Sequence, residues 1–146
     1  MPLLMIQRAL VMEEDSSTRL LITESLKSWG IPEVEDYATE TLSLQRLLRG
    51  RFDLAIFDLG IWSSPIAAGG PTLVIATYPL GSANDASVIL KAKRQGADTL
   101  VEKPFKRLRL LRSIEAILST PAARRLKIVE LPTSRFRLGI GREQSS

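Results

Sequence analysis

Five short strand-like runs alternate with amphipathic segments along most of this chain, and this alternation restricts the possible folds more than any other feature. The runs are "RALVM", "EVEDYA", "DLAIF", "TLVIAT" and "DTLVE". Each run predicts a strand, and the segments between them show the apolar spacing of helices. Strands that alternate with helices form a parallel sheet covered on both faces. We therefore predict an α/β fold built on five parallel strands.

Four segments predict the helices: "SSTRLLITESLKSWG", "TETLSLQRLLRG", "NDASVILKAKRQG" and "KRLRLLRSIEAIL". Ser16 or Ser17 is the expected N-cap of the first helix, and Gly30 is expected to end it. Thr39 and Gly50 are expected to begin and end the second helix. The predicted buried positions are Leu20, Leu21, Ile22 and Leu26 in the first helix, and Leu44, Leu47 and Leu48 in the second.

The connection after the third strand is unusually short. Only 13 residues, 59–71, separate Asp58 from the start of the next strand. A parallel crossover needs a dozen or more residues including its helix, and "SSPIAAGGP" is poor helix material. We predict that the helix after strand 3 is shortened or missing. Ile61, Trp62 and Ile66 would then cover the sheet, with any uncovered apolar face open to a partner or a second copy.

The composition excludes several kinds of site. The chain has no cysteine and no histidine, which rules out disulfides, zinc-thiolate sites, thiol catalysis and every Ser-His-Asp scheme. Any divalent metal must therefore be held by oxygen ligands. No run approaches the length of a membrane span, and the first residues lack a signal-peptide pattern. We expect a cytoplasmic protein without membrane contact.

Acidic residues follow two of the predicted strands, and a lysine follows a third. Glu13 and Glu14 come after the first strand, Asp58 ends the third, and Lys103 ends the fifth. Ligands of open parallel sheets bind at the carboxyl ends of the strands. Crowded carboxylates repel one another unless a cation lies between them. Solvated loop acids and a surface lysine are the alternative, but acids at two strand ends favour a cation-dependent site.

Three motifs resemble the response-regulator receiver domains, the CheY-like family. They are "ALVMEEDSSTR" around the first strand, "FDLAIFD" at the third and "GADTLVEKPF" at the fifth. The resemblance implies a flavodoxin-like (βα)5 sandwich over residues 1–120, and a single-domain response regulator in two-component or phosphorelay signalling. It further implies a phosphoacceptor domain rather than an enzyme, acting through contacts with other proteins.

The resemblance also assigns roles to individual residues. Asp58 would accept a phosphoryl group from the phosphohistidine of a histidine kinase or phosphotransfer protein. Glu13 and Glu14, together with Asp58 and the carbonyl of Gly60, would hold Mg2+. These roles are consistent with phosphoryl transfer, which depends on positioning and charge neutralisation.

Two further residues would contact the phosphoryl group. Lys103 would neutralise its charge, and the hydroxyl of Thr77 would bind one of its oxygens. Spacing from Pro71 places Ala76 at the hydroxyl position, whereas the chemistry of the strand places Thr77 there. Leu100 stands where the family often has a switch aromatic, so signalling through an aromatic flip is not expected.

The departures from the family pattern support a second interpretation. Both members of the acidic pair are glutamates, and magnesium tolerates misplaced ligands poorly. The alternative is therefore a phosphorylation-independent pseudo-receiver that serves as an interaction or dimerisation scaffold. A metal-dependent phosphohydrolase is disfavoured because Gly60 cannot act as a general acid or base next to Asp58.

The chain ends in a basic extension. Residues 103–146 contain eleven Lys and Arg against three Asp and Glu, whereas residues 1–102 contain nine against thirteen. Within residues 121–146, "LKIVEL" and "RFRLGI" predict two short strands. We interpret this extension as a possible β-hairpin or dimerisation arm. The expected partners are the kinase or phosphotransfer protein, a downstream protein target and a second copy of the chain, and we do not expect nucleic-acid binding.

Overall fold

The computed structural model describes residues 5–66, 70–79, 81 and 86–121. Five strands pair in parallel in the order β2-β1-β3-β4-β5. The elements are β1 (Arg8–Met12), α1 (Ser16–Ser28), β2 (Glu33–Tyr37), α2 (Glu40–Arg49), β3 (Leu54–Asp58), β4 (Leu73–Pro79), α3 (Ala86–Gln95), β5 (Thr99–Lys103) and α4 (Arg107–Leu118). This is the predicted flavodoxin-like α/β architecture.

Two hydrophobic layers cover the sheet, one on each face. Ala9, Val11 and Ile56 belong to the layer that includes buried residues of α1 and α4, such as Leu26 and Leu110. The alternate strand residues belong to the layer that includes Ala92 of α3 and side chains of α2. Because successive strand residues face opposite sides, each buried strand contributes to both layers. The near-continuous apolar runs in the sequence follow from this double burial.

Two aspartates fix the starts of neighbouring strands. Asp53 Oδ2 accepts hydrogen bonds from the backbone N–H groups of Gln7 and Arg8, at 2.8 and 3.0 Å. Asp98 Oδ2 accepts one from the N–H of Val74 at 2.8 Å. Each carboxylate therefore satisfies backbone donors at the start of a neighbouring strand, where the regular ladder of hydrogen bonds has not yet begun.

The connection from β3 to β4 contains no helix in the part that the structure describes, residues 59–66 and 70–72. Trp62 is completely buried in the layer that includes Ala92 of α3. Ile61 and Ile66 pack against the same layer. The indole N–H of Trp62 donates to the carbonyl of Ser64 at 2.7 Å. Its ring also meets Phe57 edge-on, with centroids 5.2 Å apart. The predicted loss of the helix and the predicted covering residues are thus confirmed.

Several details of the helices differ from the sequence predictions. The N-cap of α1 is Asp15, whose carboxylate accepts from the N–H of Thr18, and not Ser16 or Ser17. Leu20 and Leu48 were predicted to be buried, but they are 59% and 83% exposed. An amphipathic helix packed on a sheet buries only one stripe of its surface, and both leucines lie outside that buried stripe. Thr39 caps α2, and Gly30 follows α1 with φ +93°, both as predicted.

No helix in the described ranges is long and apolar enough to cross a membrane. The predicted strands of the basic extension lie outside the described residues. Within residues 121–146 the structure describes Pro121 alone. The division into a domain of residues 1–120 and an extension therefore stays a prediction.

Candidate functional site

The carboxyl ends of the strands bring four polar side chains to one side of the sheet. Glu13 directly follows β1, Asp58 ends β3, Thr77 lies in β4, and Lys103 ends β5. Each lies an even number of residues after strand positions that pack in the α1 and α4 layer. Since strand side chains alternate between the two faces, all four share that face. The strand ends in the sequence predicted that Glu13, Asp58 and Lys103 lie together, whereas Thr77 was expected there only from the family resemblance.

Lys103 joins two buried carboxylates. Its ammonium nitrogen lies 3.3 Å from Asp58 Oδ1 and 3.2 Å from Glu13 Oε1. Glu13 Oε2 is only slightly farther from it, at 3.4 Å. The side chains of Glu13 and Asp58 are 1% and 7% exposed, while that of Lys103 is 19% exposed. We call Glu13, Asp58 and Lys103 the charge triad.

Burial dominates the electrostatics of Glu13. Removal from water raises the pKa of its carboxyl, and the nearby charge of Asp58 raises it further. The N–H of Asp15, which donates to Glu13 Oε2 at 3.0 Å, and the ammonium of Lys103 act in the opposite direction. The net result is a pKa above the ordinary value of a glutamate. The environment therefore disfavours the ionised form of Glu13 unless a nearby cation compensates its charge.

The loop after β3 holds Asp58 through its backbone. The N–H of Gly60 donates to Asp58 Oδ1 at 2.9 Å. A side chain at position 60 would place its Cβ only 3.2 Å from the same oxygen, so glycine keeps this approach open. Lys91 of α3 donates to the carbonyl of Leu59 at 2.9 Å. The hydrogen bond from Gly60 and the contact from the ammonium of Lys103 therefore both go to Oδ1 of Asp58.

Thr77 presents a buried hydroxyl next to this carboxylate. It is the direct partner of Asp58 in the pairing of β3 with β4. Its Oγ1 is fully buried and has no hydrogen-bond partner among the described residues. Ala76 packs in the layer on the opposite face of the sheet. The geometry thus places Thr77, and not Ala76, on the side of the charge triad.

The two consecutive glutamates before α1 differ in their exposure to solvent. Glu14 is exposed, whereas Glu13 is buried. Arg19 donates to the carbonyl of Glu13 at 2.8 Å and more weakly to that of Glu14 at 3.3 Å, so it fixes the backbone of the pair. Sequence reasoning did not anticipate the roles of Asp15 and Lys91. The acidic run "EED" contained the signal for Asp15, since a third acid directly before a helix is a natural N-cap.

These residues do not form a ready divalent-cation site. Both oxygens of Glu13 are within reach of Lys103, and Oε2 also accepts from Asp15. Across the part of the chain that the structure describes, no three acidic side chains converge in a way that could hold a metal ion. Glu14, predicted as a magnesium ligand, is therefore not gathered with Glu13 and Asp58. As arranged, the donor set does not fit Mg2+, which needs an open octahedral site.

A small cavity lies beside the loop that follows Asp58. Its volume is about 200 Å³, and Gly60, Tyr78, Val88 and Lys91 are among the residues that line it. Tyr78 is buried in β4. This cavity adjoins the site at Gly60 and reaches the first turns of α3, but none of Glu13, Asp58, Thr77 and Lys103 lines it.

Comparison with protein-family models and with curated proteins finds no match to this sequence. Solved structures do match. The chemotaxis response regulator CheY4 of Vibrio cholerae aligns with a TM-score of 0.62 and 20% identity, over 77% of this chain and 98% of that one. A CheY-like receiver domain protein from Methanospirillum hungatei gives 0.60 and 21%, over 77% and 94%. Full-length FixJ from B. japonicum gives 0.63 and 22%, over 81% and 61%.

CheY4 is a chemotaxis response regulator and the Methanospirillum hungatei protein is a CheY-like receiver domain protein, and the match spans nearly the whole of both chains. The order of the strands and the absence of further strands in the described part agree with this likeness. The resemblance inferred from the three sequence motifs is thereby confirmed at the level of the fold. The chain has the CheY-like fold of response-regulator receiver domains.

Proposed function

We propose that this chain is a receiver module of two-component signalling in which Asp58 accepts a phosphoryl group. The observation that carries the proposal is the buried hydroxyl of Thr77, which has no hydrogen-bond partner among the described residues and belongs to the residue opposite Asp58 in the register of β3 with β4. An unsatisfied buried hydroxyl costs free energy, so its retention calls for a reason. A phosphoryl oxygen on Asp58 would supply the missing partner.

The chemistry needs little beyond what the site provides. Asp58 Oδ2 attacks the phosphorus of a phosphohistidine on a histidine kinase or phosphotransfer protein, the P–N bond breaks, and the imidazole leaves. The product is an acyl phosphate on Asp58. The ammonium of Lys103 and the N–H of Gly60 lie next to the carboxylate, where they offset added negative charge. No general acid or base is required of the chain for this step.

In this proposal the signal reaches the surface through α3. Lys91 links α3 to the carbonyl of Leu59, directly after the phosphoacceptor. A phosphoryl group adds negative charge and acceptor oxygens that compete for nearby cations. The resulting shift in α3 would change the surface offered to a downstream protein. This route does not involve the half-buried Leu100.

A phosphorylation-independent scaffold is the second candidate, and one observation favours it. The charge triad already pairs Asp58 with Lys103, and no described cluster of acids could hold a metal ion. If the triad is purely structural, the chain would act through its surface alone.

Intact mass measurement after incubation with acetyl phosphate in magnesium-containing buffer tests the proposal. We expect the wild-type chain to gain one phosphoryl group. Asp58→Asn should gain none, while Asp36→Asn, a matched change at an exposed aspartate, should behave as wild type. A folded wild-type chain that gains no phosphoryl group would favour the scaffold instead.

A further inference from the structure

We propose that Lys103 is the resident cation of this site and that Asp58 reacts without a divalent metal. The proposal rests on the function proposed above, since it names the charge that supports phosphoryl acceptance at Asp58. It goes beyond that function by replacing the magnesium ion that the acidic residues would otherwise suggest.

The first support is the position of the ammonium group. It lies within 3.4 Å of three oxygens that belong to two different carboxylates, Glu13 and Asp58. A divalent cation bridging these carboxylates would need the same space. A cation and an ammonium cannot share it, because their repulsion at such short range is strong in a poorly solvated site.

The second support is the length of the side chains. Glu13 follows β1 and Lys103 ends β5, and β3 and β4 lie between those strands. Three strand spacings amount to about 14 Å of sheet, which only two long side chains can bridge. The additional methylene of Glu13, compared with an aspartate, lets its carboxylate reach the ammonium. The glutamate that weakens a magnesium site thus suits a lysine-bridged one.

The third support is the state of the remaining donors. Glu13 Oε2 also accepts from the N–H of Asp15. Glu14 is exposed, and no triple cluster of acids exists within the described ranges. Magnesium requires near-ideal octahedral geometry, and a site whose donors are already engaged binds it poorly. This arrangement favours Lys103 over Mg2+ as the cation between Glu13 and Asp58.

The reaction balances without a metal. With acetyl phosphate as donor, Asp58 Oδ2 forms a bond to phosphorus, the bond from phosphorus to the acetate oxygen breaks, and acetate leaves with the electron pair. No proton or electron is exchanged with the chain. Lys103 offsets part of the charge on the transferred group, and Thr77 donates its otherwise unpartnered hydroxyl.

Calorimetric titration with Mg2+ and with Mn2+ tests the position of the cation directly. Lys103→Met exposes the facing carboxylates, and we expect it to bind Mn2+ at least about ten-fold more tightly than wild type. Glu13→Asp should also gain affinity, because the shorter arm releases Lys103. Lys93→Met removes one positive charge from an exposed position of α3 and should match wild type.

Where neither variant folds, the wild-type chain decides the question, and weak binding of Mg2+ by wild type then supports the proposal. If wild type binds Mg2+ as tightly as Lys103→Met binds it, or if it binds Mg2+ strongly while neither variant folds, the proposal is wrong. Weak binding by wild type with a gain in either folded variant supports it.

Phosphorylation by acetyl phosphate in EDTA and in magnesium separates this proposal from the function on which it rests. Equal gain of mass under both conditions supports a lysine-supported reaction. A gain of mass in magnesium but not in EDTA overturns the role of Lys103 as resident cation. That outcome still leaves Asp58 as the phosphoacceptor. Absence of gain under both conditions overturns the proposed function and this inference with it.

Discussion

At the scale of single residues, the hydroxyl of Thr77 is the group least explained by folding. It is completely buried and has no hydrogen-bond partner in the described part of the chain. Thr77→Val keeps the shape and removes the unsatisfied oxygen, so we expect the free energy of unfolding to rise by about 1 kcal/mol. Urea unfolding monitored by circular dichroism measures this change.

The matched control is Thr23→Val. Thr23 is also buried, but its hydroxyl donates to Asp36 Oδ2 at 3.3 Å. The same substitution there should lower the free energy of unfolding by about 1 kcal/mol, since it removes one partner of a hydrogen bond. If both variants are destabilised equally, the hydroxyl of Thr77 contributes to folding and is not held in reserve for a ligand.

Residue-level prediction from the sequence rested on the ends of the strands. Asp58 and Lys103 were expected to lie together because the carboxyl ends of parallel strands meet at one edge of the sheet, and the structure places them 3.3 Å apart. Leu20 and Leu48 were misassigned because helical spacing leaves the edges of the buried stripe undefined, and only packing against the sheet decides them. Thr77 and Ala76 could be told apart only by the register of β3 with β4.

At the scale of elements, Glu35 connects β2 to α2. Its carboxylate accepts from Arg46 Nε at 2.7 Å and from Arg46 Nη2 at 2.9 Å, and from the hydroxyl of Tyr37 at 2.9 Å. The hydrogen bonds from Arg46 hold the pKa of Glu35 down to about 2. Because the folded value lies below the unfolded value, the stabilisation is complete above about pH 4.5 and is lost as the pH falls towards 2.

This shift predicts a pH-dependent effect of Glu35→Gln. Near pH 6 the variant should be less stable than wild type by roughly 1–2 kcal/mol, since a bidentate charged pair is stronger than a surface pair. At pH 2.5 the difference should be much smaller. Urea unfolding at several pH values provides the measurement. Glu24→Gln, at an exposed position, should show no such trend, and a constant difference for Glu35→Gln would contradict the assignment.

In the connection between β3 and β4, Trp62 covers the sheet where a helix would otherwise pack. Trp62 is fully buried, its indole N–H donates to Ser64, and its carbonyl accepts from Gln95 Nε2 at 2.7 Å. We expect Trp62→Ala to lower the free energy of unfolding by about 3–5 kcal/mol, because it opens a large cavity in the core. Trp62→Phe keeps most of the packing and should lose clearly less.

Thermal unfolding of the two variants, followed by circular dichroism, measures the difference. A small loss in Trp62→Ala would mean that the sheet is covered at this place by something other than Trp62. The sequence predicted the packing role of this residue, but not its anchors. Glu40 accepts from Ser63 and Ser64, and Gln95 reaches Trp62, across 23 to 33 residues of sequence. No periodic pattern encodes contacts of that kind.

At the scale of the whole molecule, the alternation of strands and helices predicted a parallel sheet of five strands covered on both faces, and the family resemblance added the flavodoxin-like topology. Short crossovers and the right-handed connection of parallel strands leave few possible arrangements. The position of β1 between β2 and β3 then brings Glu13 and Asp58 onto neighbouring strands. What the alternation could not supply is the detailed arrangement at the sheet edge. Whether a lysine or a metal bridges the carboxylates depends on differences of a few ångströms.

Both faces of the sheet have a hydrophobic layer formed by described residues between Ile6 and Leu118. Trp62, Ile61 and Ile66 belong to or pack against one of these layers in the connection between β3 and β4. We therefore expect a chain ending at Thr120 to unfold with a free energy within about 1 kcal/mol of the full chain, as for a change outside the packed core. Urea unfolding of the two chains measures this, and a larger loss would show that the extension packs on the domain.

Light scattering of the two chains tests the extension as a dimerisation arm. Equal masses for both chains would remove that role, whereas a dimer that requires residues 121–146 would establish it.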